Sequence, residues 1–211
     1  MTVVRVILST LRIVLAGFSG RVVKLFARPY SIPAQGKRIL ILGNGPSLLE
    51  DLAIVNITEY DIVAAVNAMS SSKDFFQIKP SSYFFQDKYW FDESPLMQNK
   101  RKKTADGLRE ADWAINVYFP KEFRDSPFIH ELTKNKHLTL VPMGQYQFSK
   151  LDFGIQNPEF LRYLSPPKMR LIYSLWLKKL ANVPATGIVS NALFEFVRSG
   201  AESVHLAGVD M

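Results

Sequence analysis

Along the chain, short apolar runs alternate with longer stretches in which apolar residues recur every third or fourth position. Arg38–Leu42, Asp61–Val66, Ser81–Gln86, Asp112–Tyr118, His137–Pro142 and Ser203–Ala207 are short and almost continuously apolar, as strands buried on both faces must be. Helical periodicity marks Pro46–Val55, Ser70–Phe76, Ser94–Arg109, Lys121–Asn135, Pro158–Ala181 (interrupted by Pro166-Pro167) and Thr186–Ser199. This alternation predicts an α/β fold, a doubly wound, Rossmann-like parallel sheet with ligands at the carboxyl ends of its strands. Gln35 to Lys37 reads as a short linker in front of it.

Before the linker the pattern changes. Val4, Ile7, Leu8, Leu11, Val14, Leu15 and Phe18 fall on one helical face, with Arg5, Ser9 and Arg12 on the other. A spanning helix would place Arg12 near mid-membrane, at about 2.5–3.5 kcal/mol. A signal peptide would have its apolar centre split by the same residue. A basic amphipathic helix lying on an anionic leaflet fits the pattern without strain, and a helix docked on the domain is the remaining reading. The expected organisation is therefore a membrane-surface helix over 1–34 and a single Rossmann-like domain over 35–211.

Charge sharpens this division. Of the 26 basic residues, seven precede residue 50, where no acid occurs. The remaining nineteen are matched by nineteen acids, so the net charge of +7 belongs to residues 1–49 and the chain beyond them is neutral. A neutral domain argues against nucleic acid as a partner. The local run Lys100-Arg101-Lys102-Lys103 reads as a solvated helix start. Cysteine is absent, which removes disulfides, thiolate catalysis and cysteine zinc sites. His130, His137 and His205 have no metal-ligand spacing, and no metal is expected.

Candidate chemistry begins where the first strand ends. Gly43-Asn44-Gly45-Pro46-Ser47-Leu48 combines two glycines that allow close backbone approach, an asparagine tolerant of left-handed geometry, and a proline suited to a helix start. A helix beginning here would offer free N–H groups to an anion. With no Lys-Ser/Thr pair it is no Walker loop. With Asn67 rather than an acid closing the second strand, nicotinamide dinucleotides are disfavoured.

These residues resemble the bacterial sialyltransferases of glycosyltransferase family 42. The Gly-Asn-Gly-Pro-Ser-Leu loop at 43–48, the strand end Ala64-Ala65-Val66-Asn67, and Ala185-Thr186-Gly187 followed by a helix and Gly208-Val209-Asp210 match its blocks in order. The resemblance implies a single GT-A-like domain that binds a CMP-sugar, with no cofactor beyond that donor. It implies inverting, metal-independent transfer of sialic acid or Kdo to a cell-surface glycan or lipo-oligosaccharide. On that basis Gly43, Asn44, Gly45, Ser47 and Asn67 hold the nucleotide, and Thr186 and Gly187 face its phosphate or the sugar carboxylate. The family's base comes from a lid after the Gly-x-Asp strand, beyond Met211, which makes the chain a truncated member by expectation; His130 and His137 are the substitutes within it. The arm would then place the enzyme peripherally on the cytoplasmic face of the inner membrane, with homo-oligomers allowed.

The aromatic stretch after Tyr83 supplies further candidates. Gln86, Asp87 and Trp90 fall at the carboxyl end of the third strand, on the side of acceptor or donor, and Trp90 is either a stacking platform or a packing residue. Asp210 closes the last strand beside them. His205, flanked by Val204 and Leu206, reads as structural. A loop and strand end of this kind also resemble the 6-hydroxymethylpterin pyrophosphokinase-like proteins, which would imply diphosphate transfer from ATP with Mg²⁺. A remnant that only binds nucleotide is the third reading.

Overall fold

The computed structural model describes residues 32–92, 95–143, 146–147, 181–182 and 187–209. Residues 1–31 of the amphipathic arm, Thr186, Asp210 and nearly all of the Pro158–Ala181 helix lie outside the described residues. Contacts divide the chain into two compact units, one of 30–143 with 186–211 and one of 1–29 with 144–185. The single domain expected over 35–211 thus spans parts of both.

In the larger unit the strands are β1 (Arg38–Leu42), β2 (Ile62–Val66), β3 (Ser82–Phe84), β4 (Ile115–Pro120) and β5 (Leu138–Met143), with β8 (Ser203–Ala207) last. They form one parallel sheet in the order β5-β4-β3-β2-β1-β8. In the smaller unit β6 (Tyr146–Gln147) pairs in parallel with β7 (Ala181–Asn182). Ala181, expected to close a helix, instead opens a strand.

Helices α1 (Leu48–Ile54), α2 (Lys73–Ile78), α3 (Gln98–Glu110) and α4 (Pro127–Leu132) connect successive strands from β1 to β5. Each step moves the same way across the sheet, so right-handed crossovers place all four on one face. Leu48, Phe75, Leu108 and Phe128 accordingly pack with Leu40, Leu42, Val63, Ala65, Tyr83 and Val117. The return to the far side of β1 carries α5 (Ile188–Arg198) over the opposite face. There Ile188, Ala192 and Phe196 meet Ile39, Ile41, Ala64, Val66 and Phe84. Successive residues of one strand thus feed two cores, which is why the strands lack polar alternation.

Two boundaries differ from the sequence expectation for packing reasons. Ile32 and Ala34 are buried under β1 and α5, so the α/β core begins before the linker. Lys121–Asn135 divides into a 3-10 turn (Lys121–Phe123) and α4, because Ser126 caps Ile129 N–H and Pro127 fixes the first helical position. Among the described residues no helix is long and apolar enough to cross a membrane.

Candidate functional site

Strand order reverses beside β1, where β2 lies on one side and β8 on the other. In open α/β sheets that is where a ligand crevice forms, at the carboxyl ends. Here backbone fills it. Gly43 N–H donates to the Ala207 carbonyl at 2.8 Å and Gly45 N–H to the Gly208 carbonyl at 2.8 Å. A Cβ on Gly43 would overlap the Gly208 carbonyl oxygen, so glycine is required for this approach. Gly208 is left-handed (φ 67°) and its N–H donates to Asp51 Oδ2 at 2.7 Å. Ser47 Oγ donates to the same oxygen at 3.3 Å.

The anion cup expected at the first loop is correspondingly reduced. Gly43 and Gly45 N–H groups have protein acceptors, and Leu48 N–H turns back to the Gly45 carbonyl. The first turn of α1 carries Glu50 and Asp51, and the helix is only seven residues long. Two carboxylates at a helix start already complement its dipole and repel a second anion. Asn44 remains exposed, its Nδ2 donating to the Val66 carbonyl at 3.1 Å.

One strand over, Asn67 adopts left-handed backbone (φ 53°), uncommon for a residue with a side chain. Three contacts impose it. Its N–H donates to the Phe84 carbonyl at 3.2 Å. Its carbonyl accepts from Tyr83 Oη at 2.6 Å, and its Oδ1 accepts from Trp90 Nε1 at 3.2 Å. Burial holds the Tyr83 hydroxyl well above the usual phenol range, so it stays protonated and donates. With its acceptor engaged, Asn67 keeps its Nδ2 hydrogens for an acceptor on a ligand. Tyr83 and Trp90 were not foreseen in this supporting role.

Trp90 is a packing residue rather than an open platform: 2% exposed, it lies against Phe85 and Phe128. Trp90 also lines a cleft of about 310 Å³ with Phe91, Asp92, Gln98, Arg101 and Phe128 among others. Asp87 is exposed beside it. Gln86, at the end of β3, has a buried side-chain oxygen that accepts no hydrogen bond among the described residues. The carboxyl ends of β1, β2 and β3 therefore present Asn44, Asn67 and Gln86 in a row.

The other face contributes α5, whose N-terminus lies at this same edge because the helix runs antiparallel to the strand it precedes. Gly187 is its N-cap, with no capping side chain and no acid in the first turn. The first intrahelical bond runs from Asn191 N–H to the Gly187 carbonyl, leaving the N–H groups of residues 188–190 without helical acceptors. Among the described residues, a Cβ at Gly187 would meet nothing within 4 Å. Asn191 is 5% exposed. Its signal was a polar side chain on the apolar stripe of Ile188, Ala192 and Phe196.

The histidines are elsewhere. His137 precedes β5, at the opposite edge of the sheet. His130 is exposed in the last turn of α4. His205 lies within β8, its Nδ1 2.6 Å from Tyr60 Oη. Among the described residues no cluster of three metal-ligating side chains occurs. Compared with known proteins, the chain matches no family model, and no curated protein matches it either.

Proposed function

We propose that this protein is a glycosyltransferase that takes a CMP-activated acidic sugar, sialic acid or Kdo, and passes it to a cell-surface glycan or lipo-oligosaccharide at a membrane surface. The observation that carries the reading is the contrast between two helix starts at one edge of the sheet. The start of α1 is neutralised by Glu50 and Asp51. That of α5 is uncapped, free of acid and backed by the buried amide of Asn191. The donor's single phosphate, or the sugar carboxylate beside it, is suited to the second of these. Asn67 Nδ2, Asn44 and the Gln86 carbonyl are then in place for the neutral groups of nucleoside and sugar.

Such a site suits a leaving group that gains charge as it departs. Orphan N–H groups at a helix start stabilise a developing phosphate without a metal. The acceptor hydroxyl would attack the anomeric carbon as the bond to phosphate breaks, its proton passing to a base. The resemblance to family 42 locates that base on a lid segment.

The experiment is a thermal-shift comparison of CMP, cytidine, and ATP with Mg²⁺, on the native chain and on Gly187→Asp. At 100 times its dissociation constant a ligand adds about 2.7 kcal/mol. CMP is expected to stabilise the native chain, and cytidine much less. Aspartate at an N-cap is as good as or better than glycine, so Gly187→Asp should keep or slightly raise the unliganded midpoint while abolishing the CMP shift. A response to ATP–Mg²⁺ with none to CMP would replace this reading with diphosphate transfer. An undiminished CMP shift in Gly187→Asp would remove α5 from the site.

A further inference from the structure

The basic run at 100–103 stands at the wrong end of its helix. Lys100 and Arg101 lie in the first turn of α3 and Lys102 and Lys103 in the next, with no acid in the first turn and no side-chain cap. Cations there add to the positive end of the helix dipole instead of offsetting it. Arg101 is turned inward, its Nη1 donating to the Tyr89 and Asp92 carbonyls. Lys100, Lys102 and Lys103 are exposed.

Large apolar side chains stand in the open beside these lysines. Leu96, in the 3-10 turn leading into α3, is 94% exposed, and Tyr89 is 54% exposed. Lys88 sits over the Tyr89 ring, and Lys100 Nζ lies 5.9 Å from the Trp90 ring. Leu96, Lys100 and Lys103 fall at helical spacing on one stripe. An exposed leucine and tyrosine set among lysines combine what an interfacial contact needs: apolar groups that enter the headgroup region and cations that meet its phosphates. The positive potential of the helix start selects an anionic leaflet over a neutral one.

We infer that Lys88, Tyr89, Leu96, Lys100 and Lys103 form a docking surface on the α/β domain for an anionic lipid leaflet, separate from the N-terminal arm. The surface begins just past the carboxyl end of β3. Docking through it turns the edge bearing Asn67 and Gln86 toward the membrane, where a lipid-linked acceptor resides. That consequence rests on the proposed transfer reaction, whereas the docking does not.

The absence of cysteine allows a single-site probe on the full chain. Leu96→Cys, labelled with an environment-sensitive fluorophore, is mixed with phosphatidylcholine vesicles with and without phosphatidylglycerol. The label is expected to shift to the blue and be quenched by lipid-borne nitroxides only with the anionic vesicles. The same label at Ile54→Cys, exposed at the far end of α1, should stay silent. Adding Lys100→Glu and Lys103→Glu to the Leu96 probe should weaken its vesicle response by about tenfold or more, since each lysine near an anionic surface contributes roughly fivefold. A silent Leu96 label on vesicle-bound chain would assign binding to the arm alone and overturn the inference. So would an equal shift with neutral vesicles, an equal shift at Ile54, or a shift with soluble RNA and none with lipid. None of these outcomes bears on CMP binding, so failure here leaves the proposed function to its own test.

Discussion

Asn67 shows how two neighbours can fix both the backbone and the side chain of one residue. A left-handed non-glycine residue costs about 1–2 kcal/mol, and here Tyr83 and Trp90 fix that geometry from opposite ends of the residue. Replacement by alanine removes both the amide and the Trp90 acceptor, so it confounds binding with folding. Asn67→Asp keeps an acceptor for Trp90 and replaces the donor with a charged oxygen. We expect a midpoint close to that of the native chain and CMP affinity lower by roughly tenfold to a hundredfold, the 1.5–3 kcal/mol of a hydrogen bond to a charged group. Calorimetric titration checks it, and unchanged affinity would take Asn67 out of the site. The asparagine itself was legible, because it ends an apolar run. Its supports were not. Trp90 reads as a platform or, somewhat more readily, as a packing residue until the fold turns its indole toward β2.

At the scale of the element, helix α3 packs by way of a glycine. A Cβ on Gly107 would overlap the Ser70 carbonyl oxygen in the 3-10 turn Met69–Ser71. Ser70 is in turn tied to Tyr83 Oη and to the Thr104 carbonyl. On an open helix Gly→Ala gains about 1 kcal/mol. Gly107→Ala should reverse that sign and destabilise by at least about 1 kcal/mol, since backbone cannot move aside like a side chain. Urea unfolding gives the sign directly. The start of α2 at Lys73 rather than Ser70 has a local part, Ser72 capping Phe75 N–H at 3.3 Å, and a distant part, Ser70 being held by β3 and α3. Strands were read more closely than helices because burial on both faces writes a continuous apolar run. Helix ends depend in part on such distant partners, although Ser126-Pro127 marks the start of α4 in the sequence itself.

For the whole molecule, the parallel α/β sheet followed from the order of elements, but the balance of charge at its carboxyl edge did not. Which helix start is already neutralised depends in part on Asp51 meeting Gly208, 157 positions away. At the opposite edge Asp61 joins β1 to β2, accepting from Arg38 N–H at 2.9 Å beside Lys37. The Arg38 backbone bond, helped by Lys37, holds its carboxyl below the ordinary 3.8. Lys134 and Arg109 hold Glu131 below its ordinary 4.5. Depressed values mean stability fully present above the unfolded pKa and lost as pH falls through the folded one. Stability should therefore be insensitive to these groups above about pH 5 and decline below about pH 4. In urea titrations across that range Asp61→Asn should flatten the decline, and because both groups are exposed the change should be small.

The central claim is that a CMP-sugar sits across the carboxyl ends of β1 to β3 with its anion at the start of α5. Its most direct test is nitrogen–proton correlation spectroscopy of the isotope-labelled chain during a CMP titration. The account predicts saturable shifts of the Asn67 side-chain amide and of the backbone amides of Ile188, Val189 and Ser190. Signals from Tyr60, Asp61 and His137, at the opposite edge, should hold still. Shifts confined to that opposite edge, or no response at Asn67 and α5 while CMP demonstrably binds, would contradict it.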